Sequence, residues 1–574
     1  MDSHYTGVKS VVFNGNTPLI AAIEAEVHEN GRYLGISGIE DFAGRPALER
    51  VLPALKFCRL GIPENAGVRV RIVPVEVLKT GEHYDLGIAI AIVAAVCRLS
   101  HKNLRDCQKD GNDVGDGWVI LGKLDENGFA HEIPGVLCAL RAAYDAWKKR
   151  SVKGVIIPIA NAVEAAQFPH TDMPIYCVTN VLDAIGIVSG KEPFISSSKL
   201  AFDKIAHGTL LESWAMAEEE RKKAPWSWDN LTGYDSFKRA AEVAAAGGHG
   251  LVIAGEPDIA RKLARAITDA LPDLDASTAE TVGCIRSMAG RSYSSELCGT
   301  AFGFEPLNRP CFLETSGDAS YSGFHGKSIF NGARQERCIP GDAALAHGGV
   351  LFLPEFQYAT EGICRHIPNT LKKKKVSPAK GVDYPADFIF VTSTTLSPCG
   401  MDGDEFDCQP VDAAVFRSKI FSSPIYKAAA VQVLARRDGA MGLERIAALL
   451  SPGEQVWQLA SCQVKRRIEL AWAARSRRFA GTCYEGKRNQ DVGNKDVETL
   501  FDFETGAVAL AKKHIKSFGL SLSSSLYPIL KIARTIADLD GRERVTERHI
   551  SRAVIYRFME IGSSVPLNKI PNSL

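Results

Sequence analysis

The sequence predicts an α/β protein of more than one unit, closed by a helical C-terminal part, and three observations carry that reading. Residues 241–262, AEVAAAGGHGLVIAGEPDIARK, pass from a helix-forming run through Gly247-Gly248 into a short apolar strand, Leu251–Ala254. A turn opened by Gly255 and a basic helix over Arg261–Ala266 follow, and strand, glycine turn and helix in that order frame a phosphate-binding loop. Strand-like apolar segments alternate with helical patterns up to about residue 440. Beyond that point the apolar spacing, as in Ile529-Ile532-Ile536-Leu539, is helical.

The 574 residues allow about three or four domains of roughly 100–200 residues each. At 45% hydrophobic and 24% charged residues the composition is that of a globular protein. A net charge of +1 gives no global electrostatic case for nucleic acid and leaves only a local patch open. The start, MDSHYTGVKSVVFNG, has no basic segment followed by an apolar core, so no secretion signal is expected. The longest apolar run, near Ile88–Val96, is too short to span a bilayer. Fourteen cysteines without any CxxC pair fit buried free thiols in a reducing compartment, with no metal site, and the expected location is cytoplasmic.

In order, residues 1–190 read as one α/β unit, with strands at Val68–Val73 and Val155–Ile157 and helices at Arg45–Phe57, Leu86–Val96 and Val136–Lys148. Residues 191–225 shift composition through ISSSK, EEERKK and Ala224-Pro225, which predicts a linker holding one short amphipathic helix. Residues 226–440 form a second α/β unit with strands at Leu251–Ala254, Val350–Leu353 and Phe388–Thr392. Residues 441–574 are mostly helical.

HYDLGIAIAIVAA with IPGVLCALRAA, KRAAEVAAAGGHGLVIAGEP, PGDAALAHGGVLFLPEF, FVTSTTLSPCG, and LKIARTIADLDG with HISRAVIYR stand in this order. Together they resemble the ComM/YifB family of magnesium-chelatase-like AAA+ proteins over nearly the whole chain. HYDLGIAIAIVAA with IPGVLCALRAA is similar to the family's N-terminal domain, itself similar to the Lon protease domain and to ribosomal protein S5 domain 2. KRAAEVAAAGGHGLVIAGEP resembles its strand-loop-helix, PGDAALAHGGVLFLPEF its Walker B segment and FVTSTTLSPCG its sensor 1 strand. LKIARTIADLDG and HISRAVIYR resemble its helical lid. The resemblance implies an S5/Lon-like domain over 1–190, a linker over 191–225, an AAA+ P-loop α/β core over 226–440 and a C-terminal helical lid over 441–574. It also implies hexameric rings, bound ATP with Mg²⁺, and work on DNA in transformation and recombination.

The positions that carry the chemistry depart from the family pattern. A working loop reads GxxxxGK[ST], with backbone N–H groups around the phosphates, a lysine on the β and γ phosphates and a hydroxyl on Mg²⁺. Here the frame is Gly255-Glu256-Pro257-Asp258-Ile259-Ala260-Arg261-Lys262. Ala260 stands at the second glycine, Arg261 at the lysine and Lys262 at the hydroxyl, while Glu256 and Asp258 put carboxylates where polyphosphate would sit. Arginine keeps the charge, but its planar fork does not replace a compact ammonium. Shifting the lysine role to Lys262 turns the side chain by roughly 100° about the helix.

In the Walker B segment Pro354 replaces the metal-side aspartate, and proline cannot ligate a metal. Glu355 remains at the water-activating position, as a relic base or a surface or capping carboxylate. Thr395 falls where the family has the sensor 1 asparagine and could still hydrogen-bond a phosphate. Lys427 lies near the arginine-finger position and Ser524 near the sensor 2 arginine. Arginine fingers contribute about 10³–10⁵ in rate, so losses at so many positions argue against ATP hydrolysis. The Lon-type serine and lysine positions hold Ile88 and Leu137, which excludes a peptidase dyad.

Lys372-Lys373-Lys374-Lys375, between the second and third strands of the core, could contact nucleic-acid phosphates. A charge run is more often a solvated loop, and no aromatic residue interleaves with this one. Cys399 and Cys408 without histidine partners read as structural thiols. The stretch from Arg309 has Glu314-Thr315-Ser316 where the family carries paired histidines. The expectation is a non-hydrolysing scaffold or regulatory subunit, joining a homo- or hetero-oligomeric ring with an unknown protein partner. The alternative is an ATP-dependent motor acting on DNA, of the branch-migration or helicase kind.

Overall fold

The computed structural model describes residues 7–13, 17–28, 33–38, 41–60, 67–74, 81–99, 115–170, 172–204, 210–231, 235–255, 257–290, 306–331, 334–379, 381–395, 410–435 and 459–557. The first unit is a seven-stranded mixed sheet built from β1 (Val8–Val12), β2 (Leu19–His28), β3 (Leu34–Ser37), β4 (Gly67–Val73), β5 (Trp118–Ile120), β6 (Gly154–Pro158) and β7 (Ile175–Val178). Its order is β3-β4-β2-β1-β5-β6-β7. Along β2, Ala21, Ile23, Ala25 and Val27 are buried in alternation with Glu24 and Glu26, the period-two pattern of a sheet with one covered face. The helices that pack with it include α1 (Asp41–Phe57), α2 (Asp85–Leu99) and α3 (Val136–Lys148). Ile88 on α2 and Leu137 on α3 are both buried core residues.

Residues 191–225 carry two helices, α4 (Glu192–Lys204) and α5 (Leu211–Lys223), where composition predicts one. The charge run EEERKK does not break the chain because Glu218–Lys222 and Glu219–Lys223 pair at helical spacing along α5.

The second unit opens with α6 (Asp235–Gly247), strand β8 (Leu251–Gly255), α7 (Pro257–Ala270) and α8 (Ala276–Met288). Then come β9 (Phe312–Glu314), α9 (Tyr321–His325), the hairpin β10 (Gly326–Asn331) and β11 (Arg334–Pro340), and β12 (Val350–Leu353). After α10 (Glu361–Lys373) follow the hairpin β13 (Lys375–Ala379) and β14 (Val382–Pro385), β15 (Ile389–Thr394), α11 (Pro424–Ala428) and β16 (Val431–Ala435). Five strands form a parallel sheet in the order β9-β12-β15-β8-β16. Every residue of β8 is buried, as in a parallel sheet covered on both faces. The sheet therefore puts β15 between the glycine-turn strand and the Walker B-like strand.

The C-terminal part is helical: α12 (Ser461–Phe479), α13 (Ala507–Ser517), α14 (Leu522–Leu539) and α15 (Glu547–Ile555). Ile529, Ile532, Ile536 and Leu539 of α14 are buried, and they share one continuous core with α6, α7 and β8. Polar contacts close the same joint. Trp228 Nε1 donates to the Leu459 carbonyl at 3.0 Å, and Trp472 Nε1 donates to the Ala246 carbonyl at 3.1 Å. Arg467 Nε reaches Glu242 at 2.6 Å, and Arg239 Nη2 reaches Asp540 at 3.1 Å. His249, fully buried, bonds Gln490 at 2.8 Å and Thr535 at 2.9 Å through its two ring nitrogens.

The first unit docks on α8. The Gly135 N–H donates to the Ser287 carbonyl at 3.0 Å, the Leu137 N–H donates to Ser287 Oγ at 3.2 Å, and Cys138, Cys284 and Met288 cluster beside them. Among the described residues no helix is long and apolar enough to cross a membrane.

Candidate functional site

The carboxyl ends of β8, β15 and β12 lie side by side. Val252 and Leu353 flank Thr392 in register, so Gly255, Thr395 and Glu355, each a few residues further on, emerge at one edge of the sheet. In open parallel sheets this edge is where ligands bind.

The helix predicted from Arg261 begins at Pro257 instead, only two residues past β8. Proline is favoured at the first helical position because its missing N–H is not needed there, and Asp258 adds an acid to the first turn. These local signals outweigh the loop frame. Gly255, at φ +141°, makes the turn that side chains with Cβ rarely adopt. Most of the eight-residue frame is thus helix, and from Arg261 onward the amides bond back into it. What remains is a helix start, not a loop that wraps a phosphate. Glu256 lies outside the described residues.

Ala260 is a core methyl, fully buried against the sheet. Lys262 is exposed on another face of α7 from Arg261, which is half-buried. The Arg261 guanidinium is held by two carboxylates. Nε donates to Glu314 Oε2 at 2.9 Å and Nη2 to Glu314 Oε1 at 3.1 Å, while Nη1 donates to Asp258 Oδ1 at 2.9 Å. The hydrogen bond to Glu314 is the main reason the guanidinium sits above its ordinary pKa. Glu314 ends the edge strand β9, which α7 reaches by packing across β15 and β12.

Sequence reasoning missed Glu314 as the partner of Arg261. The available signal was its place at the carboxyl end of a short apolar strand, Phe312–Glu314.

Pro354 follows β12 directly, and Glu355 takes a left-handed conformation at φ 42°, ψ 56°. Its N–H donates to Ser393 Oγ at 2.9 Å, which fixes that turn. The Glu355 side chain caps no helix, and among the described residues its half-buried carboxylate has no hydrogen-bond or ion-pair partner. Thr395 is nearly buried, with Gln357 Nε2 donating to its Oγ1 at 3.4 Å. Lys427 is exposed on α11, and Ser524 is exposed in the first turn of α14, donating to the Ser521 carbonyl at 3.3 Å.

The lysine run is not one solvated loop. Lys372 and Lys373 close α10, Lys374 is its left-handed cap at φ 54°, and Lys375 starts β13. Lys374 is paired with Asp491 at 2.5 Å and Asp387 at 3.3 Å, and Lys375 with Asp383 at 2.7 Å. Lys372 and Lys373 are exposed and without an ion pair among the described residues. Cys399 and Cys408 lie outside the described residues.

Family models match three stretches: "Subunit ChlI of Mg-chelatase" over residues 23–161, "Magnesium chelatase, subunit ChlI" over 227–438, and "Magnesium chelatase, subunit ChlI C-terminal" over 458–557. The chain is 25% identical over 559 residues to an uncharacterised protein, YifB, of Escherichia coli, covering 94% of each. It is 23% identical over 547 residues to competence protein ComM of Haemophilus influenzae, again covering 94% of each. An uncharacterised protein of Mycobacterium tuberculosis is 25% identical over 554 residues, covering 96% of this chain and 97% of its own.

Proposed function

The chain belongs to the ComM/YifB family of magnesium-chelatase-like AAA+ proteins, and from that premise we propose that it is a non-hydrolysing member, a scaffold or regulatory subunit. The observation that carries the reading is the clamp of Glu314 and Asp258 on Arg261. At the position where the family places a lysine for the phosphates, the cation is already neutralised by two carboxylates of its own chain. A polyphosphate would have to displace both and then sit beside them, against like charge.

Magnesium-bound ATP, which the family implies, does not fit these residues. Its metal would meet Pro354 in place of a carboxylate and a Lys262 cation in place of a hydroxyl. The early start of α7 at Pro257 removes the loop amides that would cradle phosphate. On this reading the site carries no hydrolytic step.

One observation favours the competing reading, an ATP-dependent motor on DNA. Glu355 keeps a carboxylate at the strand edge with no partner among the described residues, as a general base requires.

The deciding experiment is ATP binding and turnover by the purified protein with Mg²⁺, with and without DNA. Absence of turnover, with or without weak binding, is expected. Turnover that Glu355→Gln abolishes would restore the motor reading.

A further inference from the structure

The joint between the first unit and α8 is built as a ladder of side chains. Going along α3, the Leu137 N–H meets Ser287 Oγ at 3.2 Å, Cys138 meets Cys284, and Arg141 Nε pairs with Glu280 Oε1 at 3.8 Å. The α8 numbers fall as the α3 numbers rise, so the two helices run antiparallel. Cys284 therefore faces α3 between two rungs, Ser287 and Glu280, each about one helical turn away on its own helix. Ser287 Oγ also donates to the buried Glu164 carboxylate, which anchors its rung in the first unit a second time.

The two thiols come from different units and both are buried, Cys138 fully and Cys284 with 1% exposure. The Cys138 thiol donates to the Cys284 sulfur, and Met288 and Phe13 close the cluster. That hydrogen bond holds Cys284 below the ordinary thiol range against the opposing effect of burial. The Arg141 charge lowers Cys284 further and Glu280 opposes it. The same hydrogen bond, with burial, holds Cys138 well above that range. Arg141 also has a spare donor: among the described residues its Nη1 is buried without a hydrogen-bond partner. A cation with a spare donor beside a sulfur favours the reactive thiolate. A cysteine that serves only as a small core hydrophobe needs neither.

The geometry points to Cys138 and Cys284 as an oxidative modification site, at which hydrogen peroxide converts the two thiols to a disulfide that ties the first unit to the AAA+ core. The Cys284 thiolate attacks the peroxide; its S–O bond forms as the O–O bond breaks, and the hydroxide that leaves takes up a proton as water. The Cys138 sulfur then attacks the sulfenic acid on Cys284. The S–S bond forms, the S–O bond breaks, and the hydroxyl leaves with the Cys138 proton as a second water. The two sulfurs together lose two electrons and the peroxide gains them. The way in is the Arg141–Glu280 end, where the ion pair is long and Arg141 is 35% exposed. The inference does not rest on whether ATP is turned over.

The test treats the folded full chain with hydrogen peroxide, blocks the remaining thiols with N-ethylmaleimide, and reads non-reduced peptides by mass spectrometry. Peptides joined through Cys138 and Cys284, and separated again by dithiothreitol, are expected. Cys138→Ser is expected to leave Cys284 as a sulfenic acid that dimedone labels, whereas Cys284→Ser is expected to leave Cys138 unlabelled. Arg141→Leu is expected to slow bridging about tenfold, through a smaller thiolate fraction. Unchanged melting curves check that the variants fold, and the exposed Cys462 and Cys483 report that the oxidant acted. The proposal is overturned if those two are oxidised and no bridge between Cys138 and Cys284 forms, or if the bridge forms as fast in urea as in the folded chain. A dimedone label on Cys138 in Cys284→Ser, with none on Cys284 in Cys138→Ser, overturns the assignment of the attacking sulfur.

Discussion

Arg261 and Glu314, 53 positions apart, meet through a two-pronged contact of guanidinium on carboxylate, Nε to Oε2 at 2.9 Å and Nη2 to Oε1 at 3.1 Å. Both side chains are about one-third exposed, so screening limits the pair to about 1 kcal/mol or less. Arg261→Ala is therefore expected to lower stability by no more than that, and to leave ATP turnover at background. A large drop in turnover in this variant would show that the arginine works on nucleotide.

Removing the clamp from the other side has the opposite expected effect. Glu314→Gln together with Asp258→Asn keeps Arg261 and deletes two negative charges from the helix start. Affinity for a fluorescent ATP analogue is expected to rise about tenfold or more, the size of change that one pKa-scale charge interaction gives. An unchanged affinity would mean that the closed helix start, not the carboxylates, excludes phosphate.

Glu355 pays for its position with a left-handed backbone that L residues reach at a cost of roughly 1 kcal/mol. Glu355→Gly is expected to stabilise the protein by about 0.5–1 kcal/mol, read as a higher melting temperature. Ser393→Ala, which removes the acceptor of the Glu355 N–H, is expected to destabilise it by about 1–2 kcal/mol. A Glu355→Gly variant less stable than the wild type would contradict the strain.

Asp538 lies buried between Arg534 and Arg478 and accepts a hydrogen bond from Asn489 at 2.9 Å. Asp538→Ala leaves the buried Arg534 guanidinium and the half-buried Arg478 guanidinium without their carboxylate, and a loss of about 3–5 kcal/mol in chemical denaturation is expected. Leakage of water into the helical part would reduce that loss to about 1 kcal/mol.

His249 makes the joint between sheet and lid sensitive to acid. Burial lowers it to about 4; the Gln490 hydrogen bond opposes this, Lys531 adds to it and Asp491 opposes it. The unfolded chain takes up the proton near pH 6.5, before the folded one does, so stability is full above that value and is lost as pH falls toward 4. The expected loss is up to about 3 kcal/mol. His249→Gln is expected to flatten that part of the stability–pH curve, at the cost of a lower plateau.

Much of the fold was legible because local pattern and tertiary packing agree. Helix α3 has the bounds its periodicity predicts, Val136–Lys148, and β12 those of its apolar run, Val350–Leu353. The start of α7 was misplaced because the motif frame drew the helix from Arg261, while Pro257 and Asp258 are the better start. The substituted positions of the site could be read one by one, but not what holds them. Nothing near Arg261 in the chain points to Glu314, and nothing near the four lysines points to Asp491 or Asp387. Such pairings are made by strand order and helix crossing, which residue spacing does not encode.

The seam where His249, Trp228, Trp472 and Arg239 join the sheet to the terminal helices has a consequence for the cell. It is shut by the chain's own side chains, which hold its angle. On the non-hydrolysing reading proposed above, an assembly that grows from the face this seam presents would track how much of the protein is made, and would be deaf to the adenylate ratio.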